Sequence, residues 1–462
     1  TKSMSPEEKA RKEAYQQKRA LEKKLAREAK DRRQRIALYG IALFGLISAI
    51  FSVWWISPVI NPFTFNMPTA PAYVSLGSVE SSRISSDADL FGAYAVAFKE
   101  RTQEDVDLMS LDDEQEEEPE KKEGEQSSTP PKEKKQKLRV GKMMYASLAN
   151  GQIVEVDLAT GEEQTVVATG QTARLPAGWQ CGTYYTEGYC GRPMGIAFDQ
   201  DGLKLYVADA YHGLFRIDVN ERTKTNIAAE DNTGKKLNFL NSLAISKATG
   251  RVYITESSKT FDRRDSHRAM IHAGPKGRLL MYDPADGGLT VLAEGLSFPT
   301  GVVVVDDGTV DTHLLVAEAP RARIRKYKIP NDEILMDSDI KVKGRLSVWK
   351  DNLPGYPTSL AWAGEESSRL VVACEERLGW YDSLSKSPVP RTMLGQLQAW
   401  WWYKLLGKKS LVLYLDHKGK VLSEKFTEEL ISTATVHKDE LYLGSAHEWV
   451  SGVSKAKFSN TV

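Results

Sequence analysis

The chain has 462 residues, with 62 Lys and Arg against 62 Asp and Glu, so its formal charge is zero. That balance excludes an overall basic nucleic-acid binder and a wholly acidic disordered chain, while 41% hydrophobic residues suffice for a core. Three cysteines are too few for a disulfide scaffold.

The charge is unevenly spread along the chain. Residues 1–35 hold 13 Lys and Arg against 6 Asp and Glu in a stretch rich in Ala, Lys, Glu and Gln, which predicts a solvated basic helix. Residues 36–56 (IALYGIALFGLISAIFSVWWI) carry no charge, and a run of that length matches the ~20 residues needed to cross a hydrocarbon core. Arg32, Arg33 and Arg35 flank one end, and Trp54 and Trp55 lie at the other, where indole rings favour the interface. The pattern predicts a single transmembrane signal-anchor helix. Its basic flank stays cytosolic, which makes this a type II protein whose part beyond Pro58 lies in the lumen of the endoplasmic reticulum or outside the plasma membrane. Glu7, Glu8, Glu13, Glu22 and Glu28 interrupt what a mitochondrial presequence would keep free of acids. The membrane is therefore the first expected partner, and a linker over 57–88 follows.

Between residues 104 and 120, ten of 17 positions are acidic and none is basic; 121–137 then turns basic around Pro130 and Pro131. Such a segment cannot bury enough apolar surface to offset its ordering entropy, so 100–138 reads as a disordered insertion. A solvated loop and a metal- or partner-binding run are both open readings of it.

From Gly141 onward one unit recurs, a Gly or Asp turn leading into an apolar β-rich run that ends in a small or acidic residue. Its copies are GKMMYASLA at Gly141, LKLYVADA at Leu203, GRVYITES at Gly250, HLLVAEA at His313, RLVVACE at Arg369 and DELYLGSA at Asp439. Four copies neighbour a second strand pattern, as in GLFRIDVNERT at Gly213 and GRLLMYDPADG at Gly277. Alternating apolar residues closed by Gly, Asp, Asn or Pro turns read as β-meanders. Six copies predict an all-β, six-bladed β-propeller over 89–458, whose closed ring removes sheet edges and leaves a central funnel for a small-molecule ligand.

The series CGRPMGI at Cys190, YVADAYHGLFRID at Tyr206, LNFLNSLAI at Leu237, LSFPTGV at Leu296, LPGYPTSLAW at Leu353 and ELYLGS at Glu440 resembles the strictosidine synthase-like family, in its adipocyte plasma membrane-associated branch. The resemblance covers roughly 140–458, with the first propeller strand near 90–98. It implies a six-bladed lumenal propeller on a single-pass anchor and a disulfide between Cys181 and Cys190, which leaves Cys374 as the unpaired thiol.

Relatives in this group include calcium-dependent lactonases and arylesterases whose funnel metal is held by a Glu, two Asn and an Asp. The matching positions here are Tyr94, Asn241, Thr300 and Thr358, so both carboxylates are missing. A hard dication needs six to eight oxygens and negative charge, which one amide with hydroxyls does not supply. The expectation is a degenerate calcium site and no metal cofactor, with Asn241, Thr300, Thr358 and Tyr211 left as substrate contacts. Strictosidine synthase itself relies on a glutamate after a strand of its fifth-to-sixth blade region. VVACEERLGW at Val371 is similar there, which makes Glu375 or Glu376 the candidate acid/base. Adjacent strand residues point to opposite faces, so at most one of the two serves.

Asp209 and Glu318, each ending an inner-strand motif, read as hydrogen-bond partners that close blades, and His437 as structural. The stretch 394–409, with Trp400, Trp401 and Trp402, reads either as an amphipathic helix on the bilayer or as packing across the propeller face. The leading functional expectation is a metal-independent small-molecule enzyme of the amine–aldehyde condensation type. A non-catalytic ligand- or partner-binding propeller and an arylesterase- or lactonase-like hydrolase are the alternatives.

Overall fold

Each of the six repeated apolar runs folds as the second strand of a meander, and six such sheets make the propeller of the computed structural model. Described are residues 62–71, 77–79, 81–84, 90, 92–103, 140–330, 346–363, 369–399, 401–402, 409–447, 450 and 452–458, with scattered positions before residue 60. Residues 1–60 and Asn61–Val462 are separate units. Most of the expected basic helix over 1–35, of the span over 36–56 and of the charged insertion over 100–138 lies outside the described residues. Among the described residues, no helix is long and apolar enough to cross a membrane.

The stretch expected to be a linker contributes two short strands, β1 (Gly77–Ser78) and β2 (Ser82–Arg83). Blade 1 comprises β3 (Val96–Arg101), β4 (Gly141–Ser147), β5 (Gln152–Asp157) and β6 (Glu163–Ala168). Blade 2 comprises β7 (Pro193–Phe198), β8 (Lys204–Asp209), β9 (Gly213–Asp218) and β10 (Thr223–Ala228). Blade 3 comprises β11 (Leu240–Ile245), β12 (Val252–Glu256), β13 (Pro275–Asp283) and β14 (Gly288–Ser297). Blade 4 comprises β15 (Pro299–Asp306), β16 (Asp311–Glu318), β17 (Arg323–Lys328) and β18 (Leu346–Lys350). Blade 5 comprises β19 (Gly355–Ala363), β20 (Arg369–Glu376), β21 (Ser410–Asp416) and β22 (Val421–Thr427), and blade 6 comprises β23 (Thr433–His437), β24 (Glu440–Gly444) and β25 (Ser454–Lys457).

Burial explains the pattern. Second strands are packed on both faces, so they read as continuous apolar runs, whereas the outermost strand of blade 2, TKTNIA, is largely exposed and polar. One strand pairing closes the ring and a second braces it. β2 pairs antiparallel with β25 and completes blade 6 from outside, while β1 adds parallel to β22 on blade 5. Blades 6 and 1 then join through Ser445 N–H to the Ala93 carbonyl at 2.7 Å and through Leu90, Val96 and Tyr442 in one apolar cluster. His437 stacks on Phe98 at 4.3 Å across the same seam.

Because every blade starts at the axis and runs up and down, its second-to-third connection and the link to the next blade emerge at the same end as the inner-strand starts. Three long connections therefore crowd one end: 168–193, 256–275 and 376–410. The ends of the charged segment, Arg101 and Gly141, sit at the opposite end.

Candidate functional site

At the crowded end, each blade contributes one residue at or just before its inner strand: Tyr94, Met194, Asn241, Thr300, Thr358 and Ser432 in blade order. They ring the floor of a cavity with about 710 Å³ of free space, part of it open to solvent. Inner strands approach closely there; a Cβ on Gly195 would stand 2.8 Å from the Ser242 backbone, which is why glycine occupies that position.

The floor is hydrogen-bonded to itself. Tyr94 donates its hydroxyl to Asn241 Oδ1 at 2.9 Å, and Asn241 Nδ2 donates to Ser257 Oγ at 2.8 Å. Thr300 Oγ1 donates to the Pro357 carbonyl at 2.8 Å and Thr358 Oγ1 to the Ala373 carbonyl at 3.1 Å. Burial raises the Tyr94 pKa far above neutrality, so its hydroxyl remains a neutral donor. This donor set does not fit a hard dication: the amide oxygen is already accepting a proton, and the hydroxyls are turned to carbonyls. Among the described residues, no three His, Cys, Asp or Glu side chains converge to hold a metal ion.

Glu375 is the carboxyl group on the cavity wall. It stands at the end of β20, beyond buried Cys374, with its side chain 24% exposed. Desolvation lifts its pKa to about 7. His447 Nε2 lies 3.8 Å from Glu375 Oε1, but this is not an ion pair. Burial first, then the charges of Arg263 and Arg192, push His447 down to about 3, so the ring is neutral. His267 is likewise depressed to about 4, mainly by burial, and its Nε2 meets the Leu397 carbonyl at 3.2 Å.

The long connections roof the cavity. In the 256–275 insertion, helix α1 (Ser266–His272) presents His267 and Met270, while the 376–410 insertion supplies Trp402. The two lock together: Tyr381 Oη donates to the Met270 carbonyl at 3.1 Å, and Arg268 Nε to the Gly395 carbonyl at 3.3 Å. Trp402 is 3% exposed and meets Tyr381 edge-on at 5.3 Å, while its neighbour Trp401 is 48% exposed. Of the two readings of this stretch, packing across the propeller face holds for Trp402. The third connection carries the disulfide between Cys181 and Cys190, which flanks a helical turn bearing Glu187. Glu187 in turn pairs with Arg263 at 3.2 Å, so the bridge supports the cavity wall.

Glu375, Asn241, Thr300 and Thr358 are thus brought together, whereas two other sequence-predicted residues are placed elsewhere. Tyr211 does not line the cavity; its hydroxyl donates to Glu187 at 2.7 Å and accepts from Arg264 N–H at 3.2 Å. Strand alternation turns Glu376 out of the cavity, and its N–H is bonded to the Lys409 carbonyl. Asp209 accepts from the Tyr211 and His212 N–H groups and Glu318 from Ser297 N–H, both closing turns between strands. Arg263, His267, Met270 and His447 were missed, because they reach the cavity from connections with no repeat pattern, and Tyr356 was missed although it lies on β19 two residues before Thr358. The one available signal was that these connections leave from the same strand ends.

Linkage makes the electrostatics testable. Depression of His447 in the fold gives stability that is present above pH 6.5 and is lost as pH falls towards 3. The raised Glu375 acts oppositely, since the fold gains protons between about 4.5 and 7. His447→Gln should therefore lose about 2 kcal/mol less stability than the parent between pH 6.5 and 5, at about 1.4 kcal/mol per pH unit. Urea unfolding at the two pH values measures it, and an unchanged difference would refute a neutral buried His447.

The profile of the strictosidine synthase family matches residues 241–332. Adipocyte plasma membrane-associated protein of Gallus gallus is 32% identical over 321 residues, 67% of this chain and 72% of that protein. The strictosidine synthase-like 2 protein of Arabidopsis thaliana is 32% identical over 321 residues, 67% of this chain and 83% of its own length. Among solved structures, a gluconolactonase from Xanthomonas campestris aligns over 69% of this chain and 82% of its own at 13% identity, with a TM-score of 0.43.

Proposed function

The chain belongs to the strictosidine synthase-like family, and from that premise we propose that it is a membrane-anchored, metal-independent enzyme that condenses a lipophilic amine with an aldehyde in the propeller funnel. The observation that carries this reading is Glu375, a carboxyl group in an apolar cavity with its pKa near 7. A group poised there exchanges protons in both directions at neutral pH. Phe239, Phe298, Tyr356 and Trp402 give the cavity aromatic walls that suit an apolar ligand and a cation over a ring face.

In such a condensation the amine nitrogen bonds to the aldehyde carbon and one water is expelled, leaving an iminium cation. Attack by an electron-rich carbon of the amine substrate then forms a C–C bond, and that carbon loses a proton. Protonated Glu375 assists the departure of water, and the resulting carboxylate holds the iminium by charge and takes the final proton. Neutral His447 adds no competing positive charge beside it. The floor of Tyr94, Asn241, Thr300 and Thr358 shapes the base of the substrate cavity, and no step is assigned to calcium. The apolar stretch 36–56 supplies a type II anchor, in keeping with the name of the plasma membrane-associated relatives.

Binding of an apolar primary amine tests the reading without knowledge of the natural substrate. An alkylamine stays protonated below pH ~10, so its affinity should rise about tenfold per pH unit up to pH 7 as Glu375 ionises, then level off. Chelator should leave the binding unchanged. A flat profile by calorimetry would remove Glu375 as the amine's counter-ion, and ester turnover lost with chelator would replace this reading with a hydrolase.

A further inference from the structure

The end of the ring that carries the funnel mouth also carries an unusual share of exposed apolar surface. Among the described residues of the propeller unit, the exposed Trp residues are Trp179, Trp380 and Trp401, and all lie on the three connections at that end. Val389 and Met393 are exposed on the same roof, and Tyr185 and Tyr189 on the neighbouring connection. At the opposite end the large exposed apolar residues are the aliphatic Val140, Leu203 and Val310. Indole rings gathered with aliphatic side chains on one face match a lipid–water interface.

Two further observations specify the occupant. Among the described residues, exposed Arg174, Lys235, Lys236, Lys386 and Lys409 on the connections at this end, with Lys276 at the start of β13, outnumber the exposed acids Glu230, Asp351 and Glu428, which suits the phosphates of lipid headgroups. The N-terminal chain also leaves the propeller here. Phe63 N–H donates to the His272 carbonyl at 2.9 Å, Arg391 donates to the Phe63 carbonyl at 2.7 Å, and the Arg321 guanidinium lies 3.8 Å from the Phe65 ring centroid. Only residues 57–61 separate this strap from the apolar stretch 36–56, and five extended residues span at most about 18 Å.

We propose that the mouth end of the ring docks on a phospholipid bilayer, with Trp380, Val389, Met393 and Trp401 seated in its interface, so that lipophilic substrate enters the funnel from the lipid. This rests on the reading of a chain anchored through 36–56. The tether and the apolar face act together: five residues keep the mouth close to the membrane that the span enters, and the exposed indoles fix its orientation there.

The test uses the full chain in vesicles of phosphatidylcholine and phosphatidylserine. Cys181 and Cys190 are paired and Cys374 is buried, so an environment-sensitive fluorophore reports only an introduced thiol, at Met393→Cys or Val389→Cys on the mouth end and at Val310→Cys on the other. Labels at 393 and 389 should emit to the blue of the label at 310 and be quenched by acyl-chain nitroxides. Water-like, unquenched emission at both mouth positions overturns the proposal, and so does a blue shift that nitroxides leave unquenched but that energy transfer between copies accompanies. Extraction by alkali separates the two readings: a chain released from vesicles contradicts the anchor, whereas a retained chain with water-exposed labels contradicts the docking alone.

Discussion

Glu375→Gln should lower kcat/KM by about 10²–10⁴-fold on any amine and aldehyde pair that the parent chain condenses, the usual contribution of a positioned acid/base. Glutamine keeps the shape of the side chain and its hydrogen-bonding capacity but neither carries charge to hold an iminium nor accepts a proton from carbon. The pH profile should change along with the rate, because the limb near pH 7 belongs to this carboxyl group. Folding is not at risk, since a buried carboxylate that must ionise above pH 7 costs the fold stability that the amide restores. Glu376→Gln is the internal comparison. That side chain lies outside the cavity, so its substitution should leave turnover and profile intact. Equal losses in both variants, or a Glu375→Gln enzyme of parental activity, would overturn the assignment.

The second large effect is expected away from the chemistry. Arg278 of β13 is 1% exposed and joins Glu256 of β12 to Asp231 in the connection before β11. Burial alone would raise the Asp231 pKa, but hydrogen bonds from Thr233 and Arg278 outweigh it and hold the carboxyl low. Glu256 also accepts from Asn238 N–H at 2.8 Å, so the cluster fixes the chain that enters the funnel at Asn241. Arg278→Met fills similar volume but leaves two buried carboxylates unpaired, and removing one partner of a buried ion pair typically costs about 3–5 kcal/mol. The loss should appear as a lower denaturant midpoint at unchanged slope. The triple variant Arg278→Met, Glu256→Gln, Asp231→Asn should regain a large part of it, because no uncompensated charge remains. A single variant within about 0.5 kcal/mol of the parent would show that the charges are solvated in solution.

The sequence by itself determined the number and kind of blades. GRVYITES and RLVVACE are legible because β12 and β20 are packed on both faces, a demand that only uninterrupted apolar, β-favouring residues meet. The candidate floor residues Asn241, Thr300 and Thr358 were reached through the family resemblance, and all three lie on inner strands. Ring closure was not legible. β1 and β2 are two residues each, and their pairing with β22 and β25 spans more than three hundred positions, which no periodicity encodes.

Tertiary structure alone decided the site's electrostatics. Glu375 and Glu376 are identical in composition and adjacent in sequence, and the strand pleat separates them: one faces an apolar cavity that withholds hydration from its charge, while the other is turned out of it. In the same way Trp401 and Trp402 divide between solvent and cavity roof. Local pattern reports what a strand must bury; the pKa of a carboxyl group depends on which distant connections exclude water from it, and those meet only when the ring is closed.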